Sequence, residues 1–449
     1  MDIETKTKEF GRNIFKLIGQ EQPATFNKKY ISGKIMEWSM SKPDFKVNMF
    51  RLVDVLPTLQ SSSSIAKHVN EYLSAPAKEL SGFLEWGINV PPNSLRAHAT
   101  SLMVKKSVNE MAKLFIAGED AKSSIKVLKN IRKQELTFTV DLLGEYSVSE
   151  EEALAYLDRY MEALEILGKE VPNWKESAPI IAGHKGDEVP VNISVKLSAL
   201  YSQCSMLNFD RTVSKLSERL TTIVSKAKEV NARLYVDAED TATNPMILET
   251  FKRVFSSSAF KDFPYPGIVL QAYNKKSEDT LRELLDFSKK RGSPIAIRLV
   301  KGAYWDHEVI SALQYGWEPP LFQKKESSDA QYEHLSRMLL DNTDLCLPAF
   351  GSHNVRSLSQ ACMYAESKGL TNKDFEMQML YGMAEPIALA FRRLNYLVRL
   401  YVPLGEMLPG MGYLVRRLLE NTSNESFLRH TFVDSNQIDN LLKKPEIRG

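Results

Sequence analysis

Cysteine is scarce in this 449-residue chain. Cys204, Cys346 and Cys362 are too few and too scattered for a disulfide framework or a zinc site, and they fit a reducing compartment. Long apolar runs are missing too, since no stretch approaches the roughly 20 residues that span a bilayer. Neither sign of charge dominates: 58 basic and 56 acidic residues leave +2, with no bulk drive toward nucleic acid. The amino terminus, MDIETKTKEF, carries acids and no apolar core, so it reads as neither a secretory signal nor a transit peptide. No H-x-H, H-E-x-x-H or Cys/His cluster supports a metal-dependent hydrolase. No G-x-S-x-G elbow offers a serine nucleophile. A cytoplasmic protein with no metal is the expectation.

What is present is the balance of a globular protein, 43% apolar and 25% charged. The length suits one large domain with an accessory region, or two to three ordinary domains. The pattern changes near residue 134. Before it, apolar residues recur at helical spacing; Val104, Val108, Met111 and Phe115 form one stripe, opened by Pro91-Pro92-Asn93-Ser94 and closed by Gly118. The serines at 61–64 read as a loop or a helix start. Residues 1–133 are therefore expected to form a mostly helical arm or cap.

Residues 134–449 read differently. Short β-branched runs recur there, each followed by an amphipathic helical stretch. They are LTFTVD (136–141), VNISVK (191–196), ARLYVDA (232–238) and GIVLQAY (267–273), then PIAIRLV (294–300), LCLPAFGSH (345–353), DFEMQML (374–380) and LVRLYVPLG (397–405). Eight strands alternating with helices predict an α/β fold, a (βα)8 barrel of TIM type. A doubly wound open sheet is the alternative. The count of eight favours the barrel, as does the lack of a G-x-G-x-x-G after the first strand; Gly410-Met411-Gly412 lacks the third glycine and follows the last strand.

Active sites of such barrels collect at the carboxyl ends of the strands. Those ends read Asp141, Lys196, Asp237-Ala238-Glu239, Gln271-Ala272-Tyr273, Arg298 with Lys301, Ser352-His353-Asn354, Gln378 and Tyr401. Lys196 and Asp237 end adjacent strands, so an ion pair between them is sterically natural, and burying either alone would cost several kcal/mol. The pair reads equally as structural or catalytic. A Schiff-base role for Lys196 needs a neutral amine, which a neighbouring aspartate opposes. In RLVKGAYWD (298–306), Arg298 and Lys301 bring positive charge, Gly302 and Ala303 let backbone approach a ligand, and Tyr304 and Trp305 add flat apolar surface. That combination suits a phosphate-bearing aromatic cofactor. In YLVRRLLEN (413–421), Arg416 and Arg417 project about 100° apart on a helix and could grip a carboxylate bidentately. Their spacing to Glu420 equally fits solvated pairs worth ~0.2–0.5 kcal/mol, which spacing alone slightly favours. These residues reach a barrel enzyme with a cationic, aromatic-lined rim for an anionic ligand. They do not reach a reaction.

VKLSALY (195–201), VDAED (236–240), VLQAY (269–273), RLVKGAYWD, SHN (352–354), FEMQMLYGM (375–383), YVPLG (401–405) and YLVRRLLEN, in this order, resemble the proline dehydrogenase family. The likeness covers roughly 134–430 and is close to the proline dehydrogenase portion of bacterial bifunctional proline-utilisation proteins. It implies a distorted (βα)8 barrel holding FAD non-covalently. It also implies hydride transfer from L-proline to flavin N5, Δ1-pyrroline-5-carboxylate as product, and a quinone as electron acceptor. By the same resemblance Arg416 and Arg417 clamp the proline carboxylate, Lys196 and Asp237 form a pocket wall, and Tyr304, Tyr401 and Leu380 pack around the ring. Arg298 sits near flavin N5 and Gln271 at the flavin edge. Val300, Lys301, Gly302 and Ala303 follow the phosphates, and Ser352, His353, Asn354 and Gln378 continue the cofactor wall. Trp305, Glu420, Ser426 and Phe427 reach the ribityl or adenine end, and Glu145 pairs with one of the arginines.

Tyr401 stands where hydroxyproline-preferring relatives carry serine, which implies a preference for proline. The chain ends at Gly449, before the aldehyde dehydrogenase domain of the long relatives. A single-function enzyme is thus expected, with a separate pyrroline-5-carboxylate dehydrogenase acting next. Residues 1–40 lack the basic look of a DNA-binding segment, so no nucleic-acid partner is expected. Membrane contact is expected to be at most peripheral, at the inner membrane. The rivals are a Schiff-base aldolase barrel using Lys196 or Lys301, and a flavin-binding scaffold without activity.

Overall fold

The computed structural model describes residues 2–20, 48, 51–52, 55–59, 61–77, 91, 94–174, 191–406 and 435–447. The eight expected strands all form, each end within two residues of expectation: β1 Thr137–Leu142, β2 Val191–Val195, β3 Ala232–Val236, β4 Gly267–Gln271, β5 Ile295–Val300, β6 Cys346–Gly351, β7 Glu376–Leu380 and β8 Val398–Leu404. Each pairs in parallel with the next. β8 pairs back onto β1 from Arg399–Thr137 to Leu404–Leu142, closing the barrel. That closure disposes of the open sheet and leaves no unpaired edge.

The described helices before the barrel are α1 (Ile3–Gln20), α2 (Ser62–Ala77), α3 (Leu95–Ala112) and α4 (Ala121–Lys133). Around it run α5 (Glu150–Glu170), α6 (Phe209–Glu229), α7 (Asn244–Ser256), α8 (Ser277–Arg291), α9 (Trp305–Gln314), α10 (Lys325–Leu340), α11 (Val355–Ser367) and α12 (Glu385–Arg393), with α13 (Ser435–Leu441) following. Local chemistry starts several of them, because a side-chain oxygen satisfies a backbone N–H that the first turn leaves unpaired. Asp120 and Ser123 form a capping box on α4, Ser149 accepts from Glu152 N on α5, and Asn354 accepts from Ser357 N on α11. Ser94 accepts from Ala97 N at the start of α3, as the cap signal predicts. Of the expected stripe, Phe115 is fully buried, while the Val108 and Met111 side chains lie outside the described residues.

Among the described residues the helical arm is fastened to the barrel at several places, α4 against β1 and α5 being one. The segment after α3 runs along β8: Ala117 N donates to Pro403 O at 3.0 Å, and Gly405 N to Gly118 O at 3.0 Å. α1 packs against α11 and α12, its Phe10 ring meets Phe391 and Tyr396, and Gly11 lies against Leu442. Buried Arg356 of α11 ties that side together. It bonds Glu333 at 2.8 and 3.0 Å, Glu4 of α1 at 2.8 Å, and the Leu442 carbonyl at 3.1 Å.

Side chains alternate across each strand. Phe138, Val140 and Leu142, Ile193 and Val195, Ile295, Ile297 and Leu299 join Tyr160, Leu164 and Leu167 of α5 and Leu216 and Leu220 of α6 in one continuous core. The opposite parity faces the barrel interior and is polar: Thr137, Thr139, Asp141, Asn192, Ser194, Arg233, Arg298, Glu376, Gln378 and Arg399, all buried. Such interiors are ordinarily filled by Val, Ile and Leu. Here small apolar packing is confined to Tyr235, Ala296, Leu347 and Ala349, and the polar groups must satisfy one another. At the amino-terminal end Arg399 grips Glu376 bidentately at 2.8 and 3.0 Å and donates to Phe138 O at 2.8 Å.

Candidate active site

At the carboxyl end of the barrel, Asp237 is the hub. Its Oδ1 accepts from Ser194 Oγ at 2.7 Å and from Arg298 Nη1 at 2.9 Å; its Oδ2 accepts from the Tyr401 hydroxyl at 2.7 Å. Arg298 reaches from β5 across to Ser194 of β2 at 3.1 Å, a span only the barrel interior permits. Its guanidinium lies 4.2 Å from the Tyr235 ring centre and 5.2 Å from that of Tyr401.

Lys196 and Asp237 do meet, but at 3.4 Å, and this is not the lysine's main pairing. The nearer partner of the Lys196 ammonium is Asp141, at the end of β1. The expected pair is thus part of a larger cluster of two cations and two carboxylates. β1 lies between β8 and β2 in the closed sheet, so its inward carboxylate enters the same interior as Lys196 and Tyr401. Lys196 Nζ also donates to the Tyr401 hydroxyl at 3.1 Å. Burial opposes charge on Lys196, but Asp141, Tyr401 and Asp237 outweigh it and raise its pKa well above the ordinary lysine value. The amine is an ammonium, which removes the Schiff-base rival at this position. Burial likewise opposes ionisation of Asp237, yet Lys196, Arg298 and hydrogen bonds from Ser194 and Tyr401 hold it below the usual carboxylate range. For Asp141 burial wins and pushes the carboxyl up to about 6.

The rim cations are not bare charges. Arg298 is paired with Asp237, and Lys301 with Asp329 of α10. Gly302 has φ +129° and sits against the Tyr273 ring, where a Cβ would come within 2.5 Å. Tyr273 is itself held by Glu308 at 2.7 Å. The backbone around Val300 joins β4 through Ala272 N to Val300 O at 2.8 Å, and Ala303 is exposed. Trp305 Nε1 donates to Phe322 O at 3.0 Å.

On the other side of the mouth, Glu145 accepts from the Tyr304 hydroxyl at 2.8 Å. The next residue, Tyr146, has φ +53°, donates its N–H to Ser198 Oγ at 3.0 Å and its hydroxyl to Asp240. Ser198 in turn donates its N–H to Glu239 at 3.0 Å. Burial pushes the fully buried Glu239 carboxyl up to about 7. Gln271 donates to Glu239 O at 3.0 Å. His353 Nε2 accepts the Leu380 N–H at 3.0 Å, and Ser352 Oγ accepts from Asn354 N at 3.0 Å. Gln378 donates to Glu376, while its buried Oε1 has no partner among the described residues.

The structure thus brings Lys196, Asp237, Arg298 and Tyr401 into direct contact, and joins Glu145 to Tyr304 and His353 to Leu380. It gives Asp141 and Glu239, read from the sequence only as polar strand ends, specific partners, and it adds Ser194, Tyr235 and Asp329. Strand parity was the signal for Asp141 and Ser194; nothing local marked Asp329, which comes from a helix facing β5. Arg416, Arg417, Glu420, Ser426, Phe427 and the Gly410-Met411-Gly412 fragment lie outside the described residues. Among the described residues no group of three His, Cys, Asp or Glu could hold a metal.

Comparison with known proteins bears on this site directly. The family model for proline dehydrogenase matches residues 124–430. The chain belongs to the proline dehydrogenase family. A second model, the proline utilization A N-terminal domain, matches residues 4–115 of this proline dehydrogenase family member. Bifunctional protein PutA of Salmonella typhimurium strain LT2 is 29% identical over 349 residues, 76% of this chain and 26% of that protein. Proline dehydrogenase 2 of Bacillus subtilis strain 168 is 27% identical over 312 residues, 70% of this chain and 87% of that protein. The crystal structure of proline utilization A from Bdellovibrio bacteriovorus inactivated by N-propargylglycine superposes with a TM-score of 0.87. It is 41% identical, covering 99% of this chain and 44% of that one. The chain therefore spans about a quarter of the Salmonella relative and under half of the Bdellovibrio protein.

Proposed function

We propose that this chain oxidises L-proline to Δ1-pyrroline-5-carboxylate on non-covalently bound FAD, the first step of proline catabolism, and passes the electrons to a quinone. The observation that carries the cofactor reading is Arg298. Its Nε and Nη2 are buried and have no partner among the described residues, and buried donors of this kind call for an acceptor. A flavin ring edge supplies acceptors, and the unpartnered Gln378 Oε1 can take a flavin N–H. Gly302, pressed against the Tyr273 ring at a left-handed φ, lets the backbone of this segment run where a side chain could not. The residues present fit the group.

Bound there, FAD supplies a two-electron acceptor for the hydride that leaves the proline carbon next to nitrogen. Arg298 places a fixed positive charge where the reduced ring becomes anionic, a preorganised stabilisation that needs no rearrangement at the moment of reaction. Gln271, Val300, Lys301, Gly302, Ala303, Ser352, His353, Asn354 and Gln378 line the cofactor in this reading, with Trp305, Glu420, Ser426 and Phe427 toward its adenine end. Arg416 and Arg417 take the proline carboxylate through paired hydrogen bonds. Tyr304, Leu380 and Tyr401 enclose the ring, the Lys196–Asp237 cluster forms the wall behind Tyr401, and Glu145 pairs with one of the arginines. N-Propargylglycine, which inactivated the Bdellovibrio relative, shares with proline an α-carboxylate beside an N-alkylated amine. No described helix is long and apolar enough to cross a membrane, and peripheral contact at the inner membrane is the proposed route to the quinone. A pyrroline-5-carboxylate dehydrogenase consumes the product.

The test is the visible spectrum of the purified protein before and after anaerobic addition of L-proline. Bleaching of a flavin band is expected; a colourless protein that FAD does not restore sinks the proposal. The Tyr401 hydroxyl is held between Asp237 and Lys196, and in this reading that fixed hydroxyl disfavours a ring hydroxyl on the substrate. A higher kcat/KM for trans-4-hydroxy-L-proline than for proline overturns that part.

A further inference from the structure

We infer that Asp141 is a positioning residue for proline oxidation: it holds the Lys196 ammonium under Tyr401, and only its ionised form keeps that wall in place. The inference rests on the proline dehydrogenase reading above. Asp237 is already engaged by Ser194, Arg298 and Tyr401, so it cannot serve as the sole counter-ion of Lys196 as well. Asp141 supplies the missing charge. It is 1% exposed and pairs with Lys196 more closely than Asp237 does at 3.4 Å.

The ammonium donates to Asp141 and to the Tyr401 oxygen, with Asp237 Oδ2 a further ion-pair partner at 3.4 Å. Lys196 thus fixes the Tyr401 hydroxyl, and Asp141 acts through Lys196. Four charges, Lys196, Arg298, Asp141 and Asp237, cancel in a buried interior. Removing the Asp141 charge leaves one cation uncompensated there. The groups facing Asp141 are Lys196 from β2, Asp237 from β3, Tyr401 from β8 and the Tyr160 hydroxyl from α5, which accepts Lys196 N–H at 3.2 Å, with Ser194 beside it in the register and Arg298 of β5 behind Asp237. Burial lifts the Asp141 carboxyl to about 6. It is therefore ionised and binds Lys196 above that pH. Below it the proton neutralises Asp141, and Lys196 is drawn to Asp237 in competition with Tyr401 and Arg298. Activity is thus present above about pH 6 and lost beneath it.

The experiment is anaerobic stopped-flow reduction of the flavin by L-proline from pH 5 to 8.5, in the wild-type holoenzyme, Asp141→Asn and Asp141→Glu. The wild type is expected to lose about tenfold per pH unit below the midpoint. Asp141→Asn is expected to be slower by about 10²-fold at pH 8, as for a misplaced wall, and to lack the acid limb; Asp141→Glu recovers part of the rate. An Asn variant with the wild-type rate, or with the same acid limb, overturns the inference. Should Asp141→Asn not hold flavin, Glu239→Gln decides, because Glu239 is the other carboxyl with a raised pKa at this mouth. A limb that survives in Glu239→Gln supports Asp141, and one that vanishes overturns it. Wild-type flavin that proline does not reduce at any pH refutes the functional reading instead. The oxidised flavin band, titrated over the same range, then still tests Asp141: a midpoint near 6 supports it, and no transition overturns it.

Discussion

Replacing Glu376 by glutamine isolates what the polar floor of the barrel contributes to the fold. Glu376 is 1% exposed and holds Arg399 through two hydrogen bonds of 2.8 and 3.0 Å; glutamine keeps the shape and one acceptor but removes the charge. Arg399 is itself buried, so its guanidinium is left without a counter-ion, a change that costs about 3–5 kcal/mol. The surroundings favour the upper end. Arg399 already presses on Arg132, whose pKa is lowered by burial first and by that charge second, and Arg233 shares the same interior around Tyr235. The remaining bond to Phe138 O offsets only part of the loss. The unfolding equilibrium is expected to shift by roughly 10²- to 10⁴-fold, read as the midpoint of urea unfolding. The double variant Glu376→Leu with Arg399→Met should recover most of this, because an apolar pair of similar size leaves no charge to desolvate. A single variant within 1 kcal/mol of wild type, or a double variant as weak as the single, refutes the reasoning.

Gly302→Ala places a methyl within 2.5 Å of the Tyr273 ring at a φ of +129° that L residues rarely adopt, so the loop must shift and this variant should purify with much less flavin; full flavin content, by absorbance ratio, contradicts a role for this loop in holding the cofactor. For the thiols, burial pushes Cys204 up to about 12, with Glu239 and Asp240 adding to it, and Cys346 and Cys362 are buried. At pH 8 the native protein should react only slowly with a disulfide reagent while denatured protein yields all three thiols. Rapid labelling of native Cys204 would count against the burial drawn for it.

The strands were readable in advance because a fully buried parallel strand is a short β-branched run, and LTFTVD or PIAIRLV cannot bury both faces any other way. Local punctuation was readable too, as Ser94 shows at the start of α3, whereas the cap that Asn354 supplies to α11 went unread. The residues at the strand ends followed from the same reading, since a barrel collects those ends on one rim. Arg298, Lys196, Asp237 and Tyr401 meet there, drawn from β5, β2, β3 and β8.

Partner choice was another matter. Lys196 and Asp237 end neighbouring strands, so a one-dimensional reading pairs them. Asp141 ends β1, which also neighbours β2, so adjacency alone leaves both carboxylates open, and the side-chain geometry of the folded barrel makes Asp141 the nearer partner. Lys301 finds Asp329 because α10 packs against β5, although 28 residues separate them. Sequence periodicity alone determined which residues face inward and where each strand ends, because alternation is a local property of the backbone. Which inward charges neutralise one another was decided by tertiary closure, since distances between residues far apart in the chain exist only once the barrel has shut and expelled the water that would otherwise solvate each charge.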